Sequence, residues 1–370
     1  MDPAIQERLR IAMDEGGFDG LVAYSKENIA YAIGYTISSQ ALCVRDRQFA
    51  LAVNRDGDAI LVLTANEAEE ASTRSAVKTL RPYDEFNDDP MAVLAGALDE
   101  LGLVDGRVGV EMDAMPADRW EALKRHLPDS RLEAAGHAFA RARMVKTPGE
   151  LERLRAASRI ADLAQLDAYE QIREGMTEHE LYRLIVDRAL GHGAETVLLV
   201  QVAAGERSVL SNPTPSDRPL RRGDVVKIDT FVSIGDYLCD TGRAFVVGEA
   251  SAEQRDIWRR MQETLADIHA TIRPGVRADE VWHAFVDSFG RRNMEPAIRF
   301  LGHGLGLSLH EEPFIAAHST TVLEAGMVLA VEPIYRQGTD GFHLEDNLIV
   351  TETGTENMTS RIGPELVVAG

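Results

Sequence analysis

Two aspartates, Asp229 and Asp240, lie inside the largely apolar runs of a stretch near the middle of the chain, Val225–Val247, with Asp236 between them. The stretch reads VVKIDTFVSIGDYLCDTGRAFVV. The β-branched and aromatic residues on both sides of the IGD sequence predict a β-hairpin. If its turn is centred between Ile234 and Gly235, Asp229 stands directly opposite Asp240. The Cβ atoms of opposed residues lie about 5 Å apart, and like charges at that separation repel each other.

Carboxylates that face each other inside an apolar hairpin must share a proton, meet a cation or pair with a base. A metal ion is the interpretation that uses both aspartates. A hairpin slipped by one residue, with one aspartate in solvent, explains this stretch equally well. The hairpin alone therefore leaves both interpretations open.

The length of the chain, 370 residues, predicts two domains, because it is long for a single core. Strand and helix patterns alternate in the N-terminal part, which is typical of a small α/β domain. We place the boundary near Arg141–Lys146, which gives domains of residues 1–140 and 141–370. The strands expected in the first domain are Phe18–Tyr24, Ala41–Val44, Phe49–Val53, Ile60–Thr64, Val77–Leu80 and Arg107–Glu111, and the helices are Asn66–Ser75, Pro90–Leu101 and Ala117–Leu127.

Capping boxes predict three helix starts in the second domain, at Thr147–Glu150, Thr177–Glu180 and Ser251–Gln254. A fourth helix is expected over Asp279–Asn293. Two helices, a hairpin, two more helices and further strands suggest one motif used twice around a mixed sheet. The further strands are Val197–Ala203, Met327–Tyr335 and Phe342–Thr351.

The charge balance of 39 basic and 60 acidic residues argues against nucleic acid or an anionic membrane as a partner. The cysteines, Cys43 and Cys239, are far apart and lack CxxC spacing, so neither a disulfide framework nor a thiolate zinc site is expected. The amphipathic N-terminus does not resemble a signal peptide, and no apolar run reaches the roughly 20 residues that span a bilayer. These features predict a cytoplasmic protein.

Further acids and histidines occur where a core should be apolar. His303 and His310 flank a glycine-rich bend, GHGLGLSLHEEP, while Glu332 ends the apolar run VLAV and Glu345 precedes another, DNLIV. Each histidine alone is most simply a hydrogen-bonded core residue, and each acid alone is most simply a strand-end residue at the surface. Together with the hairpin aspartates they favour one shared site.

The residues Asp229, Asp240, His303, Glu332 and Glu345 resemble, in this order, the metal ligands of the peptidase M24 family. The matching text is IDTFVSIGDYLCDTGRAF, GHGLGLSLHEEP, VLAVEPIY and GFHLEDNLIVTETG, and DGLVAYSKENIAYAIGY is similar to the creatinase/prolidase-type N-terminal domain. The resemblance implies a pita-bread catalytic domain behind a smaller α/β domain. It favours the prolidase and creatinase branch over single-domain methionine aminopeptidases.

The resemblance also implies two divalent ions, with Mn²⁺ expected first and Fe²⁺, Co²⁺ or Zn²⁺ as alternatives. Asp229 would bind one ion, Asp240 and Glu345 would bridge, and His303 and Glu332 would complete the other position. A hydroxide between the ions would attack the amide bond. Glu332 would accept a proton from the nucleophile.

Three further residues receive roles from the same resemblance. His310 would polarise the substrate carbonyl or stabilise the oxyanion. Tyr237 and Arg243 flank the second aspartate and are expected to orient it. Ordinary cross-strand packing explains these two residues almost as well.

Two positions depart from the pattern of proline-specific relatives and affect substrate handling. Asn212 stands where those relatives have a histidine, and His343 stands where they have an arginine. An asparagine cannot carry a proton, and a histidine lacks the permanently charged fork of arginine. We assign both residues to substrate contact.

The leading interpretation is a dinuclear metallohydrolase that cleaves an Xaa-Pro bond in a dipeptide or short peptide. The two departures motivate a second, in which the same site acts on a small non-peptide metabolite, as creatinase-, ectoine hydrolase- or sulfonium lyase-like branches do. A non-catalytic binding module is a third. The resemblance implies a homodimer in all three.

Overall fold

The computed structural model describes residues 1–42 and 47–370, which divide into two units, Met1–Arg143 and Met144–Gly370. The strand expected over Ala41–Val44 is not found where the chain can be followed, because Ala41 ends a short helix. The rest of that segment, with Cys43, lies outside the described residues. No helix in the two described ranges is long and apolar enough to cross a membrane.

The first unit contains a six-stranded mixed sheet in the order β4-β3-β2-β1-β5-β6. Its core is formed by apolar side chains of the sheet and of α5 and α6. The elements are α1 (Pro3–Gly16), β1 (Gly20–Ala23), α2 (Lys26–Ile33), α3 (Ser38–Ala41), β2 (Ala50–Asn54), β3 (Ala59–Thr64), α4 (Ala68–Arg74), β4 (Thr79–Tyr83), α5 (Pro90–Glu100), β5 (Arg107–Val110), α6 (Ala117–His126), β6 (Arg131–Ala134) and α7 (Gly136–Met144).

The second unit follows the predicted order of two helices, a hairpin, two helices and further strands. All three capping boxes are confirmed at the starts of α8, α9 and α10. The elements are α8 (Pro148–Tyr169), α9 (Glu178–Gly191), β7 (Thr196–Ala204), β8 (Val225–Ile234), β9 (Tyr237–Val247), α10 (Ala252–Thr271), α11 (Ala278–Arg291), β10 (Phe300–Gly304), β11 (Glu311–Ala316), β12 (Val328–Val331), β13 (Ile334–Gln337), β14 (Asp340–His343), β15 (Asp346–Val350), β16 (Thr355–Asn357) and β17 (Val367–Ala369).

Three sheets form in this unit, in the orders β17-β9-β8-β7, β11-β10-β12-β15-β16 and β13-β14. Helices α8 and α9 pack their apolar faces on the first sheet, and α10 and α11 share a core with the second. The mixed α/β class predicted for the chain is confirmed.

The hairpin of β8 and β9 has a register that differs from the prediction. Its turn residues Gly235 and Asp236 both have positive φ, 54° and 67°, as a tight two-residue hairpin turn requires. The turn is therefore centred one residue later than expected, and Asp229 pairs with Gly242 while Asp240 pairs with Phe231. The predicted direct opposition of the aspartates is wrong. Both nevertheless lie on one face, since Gly242 and Asp240 are two residues apart.

The strands predicted over Met327–Tyr335 and Phe342–Thr351 are each interrupted at their acid. The first divides into β12 and β13 at Glu332-Pro333, and the second divides into β14 and β15 at Leu344-Glu345. Proline cannot donate to a strand ladder, which explains the first break. Each glutamate thus lies where the chain passes from one sheet to another.

Candidate metal centre

The hairpin supplies two buried carboxylates to one face of its sheet. Asp229 is 9% exposed and Asp240 is 3% exposed, so neither is solvated as the slipped hairpin would require. They are diagonal neighbours across β8 and β9. Side chains in this relation remain within reach of each other or of a shared ligand.

His303 lies on β10 with its ring directed at two of the acids. Its Nδ1–H donates to the carbonyl oxygen of Gly304 at 2.9 Å, which leaves Nε2 as a free acceptor. This Nε2 lies 3.5 Å from Asp240 Oδ2 and 3.7 Å from Glu332 Oε1. A neutral imidazole held in this tautomer is the form that binds a metal ion.

The two strand breaks bring Glu332 and Glu345 to the same place. The amide of Glu332 donates to Leu301 on β10, and the amide of Glu345 donates to Gly242 on β9. These backbone bonds attach each break to a strand that already carries a ligand candidate. Both glutamates are buried, Glu345 almost completely.

His343 is buried among the same acids, at the end of β14. Its Nε2 lies 3.5 Å from an oxygen of Glu332 and 3.5 Å from an oxygen of Glu345, and its Nδ1 lies 4.0 Å from Asp229 Oδ2. The sequence predicts a substrate contact here, and the structure places the ring beside the predicted metal ligands.

Asp229, Asp240, His303, Glu332, His343 and Glu345 form one buried cluster. Many of its polar atoms face one another without a hydrogen bond. Within the described part of the chain, no partner is found for Asp229 Oδ1, His303 Nε2, either oxygen of Glu345 or either ring nitrogen of His343. Buried polar groups are nearly always paired, so an unpaired group of this kind indicates a missing ligand. Three overlapping triads offer ligand atoms within 4.8 Å of one another: Asp240 with His303 and His310, Asp229 with His343 and Glu345, and His303 with Glu332 and Glu345.

The electrostatics of the cluster also fit a cation. Burial raises the pKa of Asp229. Burial and the neighbouring acids raise the pKa values of Asp240 and Glu345 well above their usual range, and burial raises the pKa of Glu332 to about 7. Burial and mutual repulsion therefore oppose the ionisation of all four acids at once. A divalent ion reverses this penalty, since it favours the charged forms.

Supporting residues fix the backbone of two ligand candidates. Arg243 is buried and donates to the carbonyl oxygen of Glu345, to the carbonyl oxygen of Thr359 and to Asp346 Oδ1. Asn347 receives a bond from the amide of Asp240 at 3.2 Å and donates to its carbonyl oxygen. Arg243 thus supports Glu345, while Asn347 supports Asp240.

Asn347 is absent from the sequence prediction, although an asparagine beside an apolar strand is a signal for such a role.

Tyr237 faces the other side of the sheet from Asp240, because the two are three positions apart on β9. Its hydroxyl lies 3.1 Å from Glu150 Oε1, at the start of α8.

His310 borders the cluster from the solvent side. Its ring stacks on that of His303 with centroids 3.8 Å apart. Partial burial and the nearby His303 lower its pKa to about 4, so the ring is neutral at pH 7. It can donate an N–H to a group that enters from solvent.

Four residues of the buried cluster, Asp229, Asp240, Glu332 and His343, line a cavity of about 570 Å³ together with His310. Asn212 is exposed on its wall and accepts a bond from Gln201 at 3.4 Å. Of the described side chains that line this cavity, none is lysine or arginine. The remaining wall is largely apolar and comprises Leu198, Leu199, Phe231, Ile298, Phe300, Leu309 and Ile334.

Comparison with known proteins assigns both units to families. Residues 152–352 match metallopeptidase family M24, and residues 6–145 match the creatinase/prolidase N-terminal domain. A Xaa-Pro dipeptidase of Pyrococcus furiosus is 35% identical over 225 residues, which are 59% of this chain and 63% of that protein. A probable dipeptidase, PepE, of Mycobacterium tuberculosis is 30% identical over 358 residues, 94% of this chain and 92% of that protein.

Solved structures give the same result for the fold. A Xaa-Pro dipeptidase from Bacillus anthracis superimposes with a TM-score of 0.86 at 27% identity, covering 98% of this chain and 99% of that one. Dipeptidase PepE from Mycobacterium ulcerans has a TM-score of 0.86 at 28% identity, with coverage of 100% and 99%. The implied two-domain layout with a pita-bread C-terminal domain is confirmed. This chain belongs to metallopeptidase family M24.

Proposed function

We propose that this protein is a hydrolase that uses two divalent metal ions to cleave the Xaa-Pro bond of a dipeptide or short peptide. The observation that carries the proposal is the convergence of buried carboxylate and imidazole groups, several of them without a hydrogen-bond partner, beside one cavity. The names of the P. furiosus and B. anthracis relatives support the substrate class.

Five residues are proposed to hold the ions: Asp229, Asp240, His303, Glu332 and Glu345. Carboxylate-rich sites of this kind suit Mn²⁺, with Fe²⁺, Co²⁺ and Zn²⁺ as alternatives. When bound, the ions would supply Lewis acidity and lower the pKa of water. Asp240 and Glu345 would bridge the two positions, in line with their burial beside the other acids of the site.

The protein's own side chains have separate tasks. Glu332 lines the cavity beside the other ligand candidates, so it can take a proton from the attacking water and return it to the leaving amine. The neutral ring of His310 can donate its N–H to the carbonyl oxygen as negative charge develops there. Asn212 can hydrogen-bond the substrate from the cavity wall, and the apolar wall suits a proline ring and a neighbouring apolar side chain.

A second candidate function follows from the absence of lysine and arginine among the described cavity-lining residues. A free dipeptide carboxylate would meet no lysine or arginine among these lining side chains, although the guanidinium of Arg336 donates to the lining residue Ser211 at 3.0 Å. A substrate without that carboxylate, such as a small amide, amidine or betaine-like metabolite, would not need one. The metal centre would be the same in this case.

An activity screen separates the two candidates. The Mn²⁺-loaded protein is incubated with Xaa-Pro dipeptides, with their C-terminal amides and with small amidine and betaine-like metabolites, and the products are identified by mass spectrometry. Release of proline or prolinamide supports the first proposal. Turnover confined to the metabolites establishes the second, and no turnover of any compound by fully metal-loaded protein contradicts both.

The homodimer and the cytoplasmic location implied by the sequence are also proposed. Light scattering during size-exclusion chromatography should give twice the chain mass of 40.6 kDa. A mass equal to one chain at micromolar concentration would contradict the dimer.

A further inference from the structure

His343 occupies a space that the neighbouring strand leaves open for it. Gly242 lies on β9 opposite Asp229. A Cβ atom built on Gly242 would lie only 2.3, 2.5 and 2.6 Å from three atoms of the His343 ring. Only glycine at this position allows the ring to reach the acids, so hairpin and imidazole fit each other closely.

The distances around His343 are wrong for hydrogen bonds and right for a shared ion. Its nitrogens lie 3.5 to 4.0 Å from oxygens of Asp229, Glu332 and Glu345, whereas N–H···O bonds are about 2.7–3.2 Å long. Two atoms that each coordinate one ion at about 2.1 Å are separated by roughly 3 to 4 Å. The Nε2–Glu345 separation of 3.5 Å meets the second description. His343, Asp229 and Glu345 can also each offer one ligand atom with all three atoms within 4.8 Å of one another.

The polarity of the ring leads to the same conclusion. A neutral imidazole has one donor and one acceptor nitrogen, and here both nitrogens face carboxylate oxygens. In either neutral tautomer one nitrogen lone pair is directed at carboxylate oxygens, and the two repel each other once those acids are ionised. A cation between the lone pair and the carboxylates removes that repulsion.

We propose that His343 is an additional metal ligand, which binds the same ion as Asp229 and Glu345. Each ion position then has one imidazole, His343 at the first and His303 at the second. Imidazole favours Co²⁺, Fe²⁺ and Zn²⁺ more than an all-oxygen site does. The position held by Asp229, Glu345 and His343 should therefore prefer these ions over Mn²⁺ more strongly than a position held by carboxylates alone. This role replaces the substrate contact that the sequence predicts for His343, and it rests on the metal centre of the proposed function.

Metal titration tests this role without relying on catalysis. Co²⁺ is titrated into metal-free wild type, His343→Ala and the control His179→Gln, which removes a partly exposed histidine on α9 that pairs with Asp217. We expect His343→Ala to weaken one of the two binding events by about 100-fold or more, because loss of a partner that merely orients a ligand already costs 10–100-fold. The control should match the wild type. Unchanged binding of both ions by folded His343→Ala overturns the proposal.

Pulsed electron paramagnetic resonance on the Mn²⁺-loaded proteins provides a second readout. The ¹⁴N couplings of wild type should report one more Mn²⁺-bound imidazole than those of His343→Ala. Equal numbers of bound imidazoles would contradict the assignment. If His343→Ala does not fold, a crystal structure of Zn²⁺-loaded wild type decides the question. An anomalous zinc peak within about 2.3 Å of a His343 nitrogen supports ligation, and a peak beyond 3 Å from both nitrogens overturns it.

These outcomes are distinct from a failure of the proposed function. A protein that binds two ions through His343 but cleaves no Xaa-Pro peptide retains this inference and loses only the substrate class. Binding of both ions that is insensitive to Asp240→Ala would contradict the whole proposed centre.

Discussion

The imidazole rings of His303 and His310 stack with centroids 3.8 Å apart and planes inclined by 27°. His303 is completely buried, whereas His310 is exposed. The stacked pair therefore connects the metal ligand candidates with the side from which a substrate enters. The rings share an environment, but they have different tasks in the proposed mechanism.

Replacement of His310 by alanine should reduce the rate and spare the metal. We expect kcat to fall by about 10²–10³-fold, as on loss of an oxyanion donor, while the metal content stays that of the wild type. The measurements are steady-state kinetics and elemental analysis of the same preparation. The matched variant His303→Ala should lose metal as well as activity. A normal rate in His310→Ala would show that the role assigned to this ring is wrong.

Arg243 should be far more important for stability than an arginine in a similar pair at the surface. Arg243→Met leaves Asp346 without its buried cation and should cost about 3–5 kcal/mol in the free energy of unfolding. Arg155→Met removes a pair with Glu356 in which both side chains are more than 40% exposed, and it should cost at most about 1 kcal/mol. Urea unfolding at pH 7 measures both values. Equal losses in the free energy of unfolding for the two variants would show that burial does not make the Arg243–Asp346 pair more important than the surface pair.

Gly302 should be intolerant of any side chain, because β10 passes very close to β12. A Cβ atom at this position would lie 2.0 Å from the carbonyl oxygen of Ala330. Gly302→Ala should lower stability by about 1–3 kcal/mol and weaken metal binding, since His303 follows directly. Gly290→Ala is the control, as a Cβ there meets nothing within 4 Å, and alanine should stabilise the helix by about 0.5–1 kcal/mol. Thermal or urea unfolding tests the pair, and a neutral Gly302→Ala would refute the crowding argument.

Metal affinity should rise with pH through the range in which the buried acids lose their protons. The pKa of Glu332 is raised to about 7, and the pKa values of Asp240 and Glu345 are raised further above their usual range. An incoming ion must displace these protons. Burial lowers the pKa of His343 to about 4, so its ring is already neutral above pH 5 and releases none.

Calorimetric titration of Mn²⁺ at pH 6, in two buffers with different ionisation enthalpies, measures this release. We expect about one proton or more per chain at pH 6 and tighter binding at pH 7.5. Affinity that is independent of pH, together with no proton release, would contradict the raised pKa values.

The sequence predicts the family, the two-domain architecture and the mixed α/β class, because long motifs and capping boxes are local signals. The register of the hairpin could not be predicted as easily. It depends on Asp236, which adopts the left-handed conformation that aspartate tolerates better than most residues. Because the predicted turn was centred one residue too early, the sequence paired Asp229 with Asp240, whereas the structure pairs it with Gly242.

The sequence also does not predict where the strands that contain Glu332 and Glu345 are interrupted. Pro333 marks the break after Glu332, but no comparable signal marks the break at Glu345. That break is held by long-range contacts, the amide bond from Glu345 to Gly242 and the guanidinium of Arg243. Tertiary contacts of this kind have no local pattern in the sequence.

The position of His343 illustrates the same limit for the site. Spacing alone relates this residue to an arginine that contacts substrate in similar proteins. Its burial depends on the missing side chain of Gly242, which lies about a hundred residues earlier in the chain. The metal ligand candidates could be named from motifs, whereas this additional ring required the three-dimensional structure.

The metal content of the protein tests the central claim most directly. Wild type and Asp240→Ala are purified without chelator, equilibrated with Mn²⁺, freed of loose ions and analysed by mass spectrometry of the elements. The proposed metal centre predicts about two ions per chain in the wild type and a loss of both in the variant, because Asp240 is proposed to bridge the two positions. A wild-type protein that retains no ion, or an Asp240→Ala variant that retains two, would contradict it.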